Sequence, residues 1–381
     1  MRFAIVGCGY VADMYLPTLG NHPDLELIGV FDRAPDRSRA FAEHHRVHRY
    51  ESLAQLLEDP RVELVANLTN PSSHFEVSAA ALRAGKHVYS EKPLATRLAD
   101  AEALVAQAES AGLLIASAPC SILGETAQTL WRALREGRIG SPRLVYAEID
   151  DGPVPLLQHR SWFSSSGAPW PAKDEFEVGC TLEHAGYYLT WLTAFFGPVR
   201  RMSAFAHVVV PDKGLVLDVA TPDFAVAGFE FHTGLVARLT CSIFADHDHR
   251  LRIFGDRGVL STCEAWNYGA PVHLAPRNRL ALRAHRHPKL VRLAGLGPRR
   301  IPLVRNARFQ RGRRVRNRMD FFRGITELGD ALRERRAPRL SARWSLHVNE
   351  LVLAMQDPQT YGSPREVRST FDPMAPMAWA G

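Results

Sequence analysis

The chain has 381 residues, 46% of them apolar, and a formal net charge of +7, a length that favours two globular domains over one. No apolar run approaches the roughly 18 residues of a membrane-spanning helix, which excludes an integral helical membrane protein. The five cysteines (Cys8, Cys120, Cys180, Cys241, Cys263) are odd in number and lack any CxxC pair, which argues against a disulfide framework or a zinc site and for the reducing cytoplasm.

The first 120 residues alternate short apolar strands with amphipathic helices. Strands are expected at Phe3–Gly7, Leu25–Asp32, Val62–Thr69, His87–Ser90 and Leu113–Ala118. Helices are expected at Ala12–His22, Pro35–His45, Ser52–Glu58, Ser73–Ala84 and Arg97–Ala111. Nearly continuous apolar strands separated by helices describe a parallel sheet covered on both faces, a doubly wound Rossmann domain over residues 1–120. The apolar N-terminus is interrupted by Gly7 and Gly9 and followed by Asp13, so it reads as a buried strand, not a signal peptide.

The first strand runs into Gly7-Cys8-Gly9-Tyr10-Val11-Ala12, a GxGxxA turn that opens a helix. Gly7 permits the tight turn, Gly9 lets backbone approach a pyrophosphate, and Ala12 allows close helix–strand packing. Asp32 lies 23 residues beyond Gly9, near the spacing at which a carboxylate accepts hydrogen bonds from ribose hydroxyls. Together these residues predict a nicotinamide dinucleotide site. Asp32 would repel a 2′-phosphate and favours NAD(H); the neighbouring Arg33 could cradle that phosphate, which keeps NADP open.

After Ser121 the pattern changes. A helix at Glu125–Glu136 leads into longer strands at Arg143–Ile149, Val199–Val209, Phe224–Phe231, Leu235–Phe244 and Leu251–Phe254, with helices at Thr181–Phe195, Phe321–Arg335 and Ala342–Met355. A hairpin signal at His232-Thr-Gly234 separates two strands. Residues 121–381 therefore read as an α+β domain on a mostly antiparallel sheet. Asp246-His247-Asp248-His249 reads as a strand-end loop bordering a pocket; with no further ligand cluster evident in sequence, no metal site is expected. Trp162, Trp170 and Trp266 could stack on a sugar ring, with core packing as the default.

The basic charge is concentrated in one segment. No Asp or Glu occurs from Ala265 to Met319, and Arg277 to Arg318 holds fourteen arginines and one lysine. Removing those fifteen charges takes the net charge from +7 to −8. The segment reads as an insertion packed on the domain or on a partner subunit. An anionic substrate such as a nucleotide-sugar, a membrane surface or a nucleic acid are the other readings.

Thr69-Asn70-Pro71-Ser72-Ser73-His74, followed by Ala81-Leu82-Arg83-Ala84-Gly85-Lys86-His87-Val88 and Glu91-Lys92-Pro93, resembles the glucose–fructose oxidoreductase / inositol dehydrogenase (Gfo/Idh/MocA) family. Gly255–Leu260 and the segments Arg323–Ile325 and His347–Glu350 extend the resemblance through most of the chain. It implies a Rossmann domain joined to an open-faced sheet, with a sugar, cyclitol or related substrate between the two. It also implies that Lys92 contacts the nicotinamide ribose and the reacting oxygen, that Glu91 orients Lys92, and that Pro93 fixes the turn, often through a cis peptide. Thr69, Asn70, Pro71 and His74 would line the nicotinamide side.

Many family members carry an aspartate and, four residues on, a histidine on the first long helix of the second half. Here Glu183 and Tyr187 occupy those positions. The expectation is an acid/base pair of Lys92 and Tyr187, in which Lys92 lowers the tyrosine pKa, with Glu183 on a substrate hydroxyl. A one-residue slip of the helix would put His184 in that role instead. The functions in competition are a sugar or cyclitol dehydrogenase or ketoreductase, an NAD-dependent glycoside hydrolase that oxidises its sugar transiently, and a non-catalytic NAD-sensing regulator, which Lys92 and Tyr187 argue against. A homo-oligomer paired through the open sheet is the expected assembly.

Overall fold

The computed structural model describes residues 1–277, 297–306 and 319–381. In the N-terminal third, β1 (Arg2–Val6), β2 (Glu26–Phe31), β3 (Leu64–Asn67), β4 (His87–Ser90) and β5 (Ile115–Ser117) form a five-stranded sheet in the order β2-β1-β3-β4-β5. Every pairing in it is parallel. Beyond β2, the described residues add a single parallel bridge, Val30 to Arg49. The strand order reverses between β1 and β3, and ligands of such sheets bind outside the carboxyl ends at that reversal.

The helices here are α1 (Tyr10–Tyr15), α2 (Pro35–His45), α3 (Leu53–Glu58), α4 (His74–Arg83) and α5 (Leu98–Ala111). One sheet face (Ala4, Val6, Val65, Val88, Ile115) packs on Leu56, Ala79, Leu82 and Leu104 from α3, α4 and α5. The opposite face (Phe3, Ile5, Leu64, Tyr89, Ala116) packs on Tyr15, on Phe41 of α2, and on Phe322, Ile325 and Leu328 from far along the chain. The last three belong to or adjoin α9 (Arg323–Glu334), which therefore completes the N-terminal sandwich. Phe322 meets Phe3 edge-on at 5.4 Å, and Phe321 lies 4.9 Å from Tyr15. The approach is close: a Cβ on Gly324 would fall 2.3 Å from the Tyr89 ring. The expected two-sided cover is present, with part of it supplied by the C-terminal residues.

The second sheet contains β6 (Pro142–Asp150), β7 (Val199–His207), β8 (Phe224–Phe231), β9 (Val236–Ser242), β10 (Leu251–Gly255), β11 (Gly258–Thr262), β12 (Val272–Pro276), β13 (Arg299–Ile301) and β14 (Arg365–Glu366). Their order is β13-β12-β11-β10-β6-β9-β8-β7-β14. All neighbours are antiparallel except β6 and β9, which run parallel. Period-two alternation buries Val145, Ala147 and Ile149 with Ala237, Leu239 and Cys241 on one face. That face is covered by helices that include α6 (Glu125–Arg135) and α10 (Ala342–Gln356). Among the described residues, no helix covers the other face. On it the Arg238 guanidinium lies 4.8 Å over the Tyr146 ring, and Phe205 is 57% exposed.

α10 ties the two halves together. Its Asn349 exchanges two hydrogen bonds with the backbone of Ala95 (3.3 and 3.1 Å), and its Ser345 hydroxyl accepts from the Ser117 amide. No helix among the described residues is long and apolar enough to cross a membrane. Of the Arg-rich segment 277–318, Arg277 and residues 297–306 are described; the remaining arginines lie outside the described residues.

Candidate active site

The cleft opens at the carboxyl ends of β1 and β3. Gly7 adopts φ +99°, and a Cβ there would fall 2.5 Å from the Leu68 carbonyl oxygen, so only glycine fits. Gly9 is different: an added Cβ would meet nothing nearer than an Arg37 guanidinium nitrogen at 3.8 Å. Its backbone therefore faces open space that any side chain would begin to fill, which is the room a pyrophosphate needs. Ala12 is fully buried, while Tyr10 and Val11 stand on the cleft surface. Asp32 accepts the amide N–H groups of Cys8 and Ala34, both at 2.8 Å. This fixes its carboxylate at the mouth of the groove, beside Arg33 and Arg37. The groove continues past Thr69 and Asn70 into a cavity of about 310 Å³. These residues fit a nicotinamide dinucleotide laid along the switch point, with Asp32 at the ribose and Gly9 at the phosphates.

His74 takes another place than the resemblance implies. It is fully buried behind the wall, its ring between the carbonyl oxygens of Pro93 (2.6 Å) and Thr69 (2.9 Å). It pins the Thr69 turn to the Lys92–Pro93 peptide, which is cis. Thr69, Asn70 and Pro71 do line the cleft.

Lys92 stands where this groove meets the second half of the chain. Its ammonium group hydrogen-bonds the Glu183 carboxylate. Glu91 accepts the Tyr15 hydroxyl at 2.6 Å and the Lys92 backbone N–H at 3.1 Å, so it holds the lysine through its backbone. Burial alone would lower the lysine pKa, but Glu183 and then Glu175 outweigh it and hold Lys92 well above its ordinary value. Tyr187 is also displaced upward, because burial exceeds the opposing pull of Lys92. Both groups thus stay protonated, contrary to the lowered values expected for a lysine-activated tyrosine.

Glu183 and His184 sit on a π turn (Thr181–Ala185) that precedes α8 (Gly186–Phe196). The wider turn, common at functional sites, lets Glu183, His184 and Tyr187 all face the cavity. Tyr187 and His184, the two alternatives in the sequence, both line the cavity. Burial, then Lys92 and His249, push His184 down to about 3, so its imidazole is neutral at neutral pH.

The facing wall comes from separate loops. α7 (Ala172–Val178) contributes Asp174, which accepts the Asn70 amide at 2.5 Å, and Glu175. Burial and then the Glu183 charge raise Glu175 well above the carboxylate range, against the pull of Lys92. Neither acid was anticipated, although Pro171 followed by acids is a helix-start signal. Asp151 follows β6, where burial pushes it up to about 6. Trp162, Trp170 and Trp266 line the cavity while also packing, half-buried, against the core, with Trp162 and Trp170 edge-on at 5.1 Å. The loop carrying Trp162 and Trp170 is fastened to α1. There Asp13 accepts the hydroxyls of Ser164, Ser165 (3.1 Å) and Ser166 (2.6 Å) and also contacts His45 Nε2 at 2.5 Å. Burial opposes the Asp13 charge, but these hydrogen bonds carry its pKa below the usual value.

Known proteins agree with this architecture. The family described as "Oxidoreductase family, NAD-binding Rossmann fold" matches residues 1–118, and "GFO/IDH/MocA C-terminal domain" matches residues 127–261. The chain is 24% identical to trans-1,2-dihydrobenzene-1,2-diol dehydrogenase of Mus musculus, over 72% of this chain and 77% of that one. It is 26% identical to myo-inositol 2-dehydrogenase of Thermotoga maritima, over 68% and 74% respectively. The solved structure of the WlbA dehydrogenase from Bordetella pertussis, in complex with NADH and UDP-GlcNAcA, superposes with a TM-score of 0.70 at 19% identity, covering 98% of both chains. With both halves of its fold matched, the chain belongs to the Gfo/Idh/MocA family of NAD(P)-binding oxidoreductases.

Proposed function

We propose that this oxidoreductase moves hydride between a nicotinamide and a hydroxyl- or keto-bearing carbon of a sugar, cyclitol or sugar derivative, with Lys92 and Tyr187 as its acid/base pair. The observation that carries the reading is the Lys92–Glu183 ion pair at the junction of the glycine-turn groove and a cavity walled by three tryptophans. The bound nicotinamide supplies the hydride acceptor or donor; the chain supplies everything that handles the proton. In ketone reduction the Lys92 ammonium delivers a proton to the oxygen as negative charge develops there, and the Tyr187 hydroxyl donates a second hydrogen bond to it. Glu183 holds the lysine charged beforehand. In alcohol oxidation the same path runs backward: Lys92 passes its proton to Glu183 and takes the one leaving the substrate hydroxyl.

A carbohydrate-like substrate is supported by the tryptophan wall and by the myo-inositol dehydrogenase relative. NAD(H) is favoured over NADP(H) because the fixed Asp32 carboxylate would repel a 2′-phosphate. A second copy of the chain, seated on the open sheet face around Tyr146, Phe205 and Arg238, is the proposed assembly.

The test is absorbance at 340 nm with NAD and a panel of aldoses, cyclitols and their keto forms with NADH. A sustained change with at least one member is expected. Glycoside cleavage without net NADH, or cofactor binding without any turnover, would overturn the reading in favour of a hydrolase or a sensor.

A further inference from the structure

Outside the proton-transfer groups, the observations converge on one corner of the cleft wall. Asp151 follows β6, and His247 and His249 lie between β9 and β10. The pairings of β6 with both of those strands bring the three together. One ligand-capable atom from each lies within 4.8 Å of the other two. Asp151 Oδ1 stands 4.0 Å from His247 Nδ1. His249 is 1% exposed, and its Nδ1–H donates to Glu264 Oε1 at 2.8 Å. That bond leaves the lone pair on Nε2, which has no hydrogen-bond partner among the described residues. A buried acceptor left without a donor is costly, and native structures seldom keep one without a purpose.

We propose that Asp151, His247 and His249 bind a divalent transition-metal ion of the zinc type. Imidazole and carboxylate ligands suit such an ion. Glu264 behind His249 is the outer carboxylate that metal-ligating imidazoles carry, fixing tautomer and orientation. Ligand atoms around a tetrahedral ion sit roughly 3.4 Å apart, so a small closure is required. His247, whose side chain is 51% exposed, turns without disturbing the core. Three protein ligands leave a position free, and Asp151 and the adjacent His184 line the substrate cavity. The free position therefore holds a substrate oxygen. This last step rests on the hydride-transfer reading; the ion site does not.

Untagged full-length protein, stripped with EDTA, is titrated with ZnCl2 by calorimetry and with CoCl2 by visible d–d absorption. One ion per chain is expected. His247→Ala and Asp151→Asn should each weaken binding at least tenfold, and Glu264→Gln roughly 10- to 100-fold. NADH binding, followed by fluorescence, stays unchanged in all three, so a failure of the cofactor reading is seen separately. Absence of stoichiometric zinc binding in the unaltered chain overturns the site, as does unchanged affinity in both His247→Ala and Asp151→Asn.

Discussion

The two walls of the cleft are built by opposite means. The cofactor wall uses backbone: glycines, amide N–H groups and the ends of β1 and β3, with Asp32 held in place by two amides. The facing wall uses side chains, namely carboxylates, imidazoles and indoles brought in on the β6 end, α7 and three separate loops. The first arrangement fits a ligand of fixed shape, because a backbone surface changes little with sequence. The second fits a ligand chosen by local chemistry, since each residue can change without refolding its neighbours. Lys92 lies on the seam, from a strand end on one side and paired with Glu183 from the other.

Four experiments break or sharpen that division. Lys92→Met removes the cation on the seam and leaves Glu183 and Glu175 facing each other; turnover should fall roughly 10³-fold while NADH binding, which loses at most one ribose contact, weakens far less, about tenfold at most, measured by stopped-flow absorbance and fluorescence titration. Tyr187→Phe should lower kcat about 100-fold, with cofactor binding intact, and retained turnover would remove Tyr187 from the mechanism. Asp32→Ala acts on the opposite wall. It should weaken NADH binding about tenfold, leave NADPH binding equal or better, and leave kcat at saturating cofactor nearly unchanged.

The last experiment separates the scaffold from both walls. His347 on α10 accepts the Val199 N–H through Nε2 and donates through Nδ1 to the Ser369 carbonyl, each at 3.0 Å. Burial pushes its pKa down to about 4. Below pH 6.5 the unfolded chain takes up a proton that the folded chain refuses, so this histidine's contribution is complete above that pH. The contribution is lost as pH falls toward 4. The loss between pH 6.5 and 5.5 should be about 1 kcal/mol. Urea unfolding at the two pH values should show it, and His347→Gln, which does not titrate, should reduce the difference by that amount.

The cofactor wall was legible because its residues are contiguous: a turn of six residues, one acid at the end of the next strand, and the Glu91-Lys92-Pro93 tripeptide. The expected strands and helices of the first 120 residues fall on observed ones, with α1 shorter than expected because Pro17 shifts the chain into a 3₁₀ turn. The facing wall was only half legible. Glu183, His184 and Tyr187 were in view, but the π turn that turns all three inward leaves no mark in hydrophobic periodicity. Asp151 and His247 lie 96 positions apart and meet through the pairing of β6 with both β9 and β10. Glu175 depends on a seven-residue helix too short for its periodicity to stand out.

The cover that α9 provides over Phe3, Tyr15 and Tyr89 sets a schedule for synthesis. When residues 1–120 have left the ribosome, every strand of the parallel sheet exists, yet one of its two faces still lacks Phe321, Phe322, Ile325 and Leu328. Some 200 further residues must be translated before that face can close. During that interval the nascent N-terminal third carries an apolar surface that a chaperone can hold.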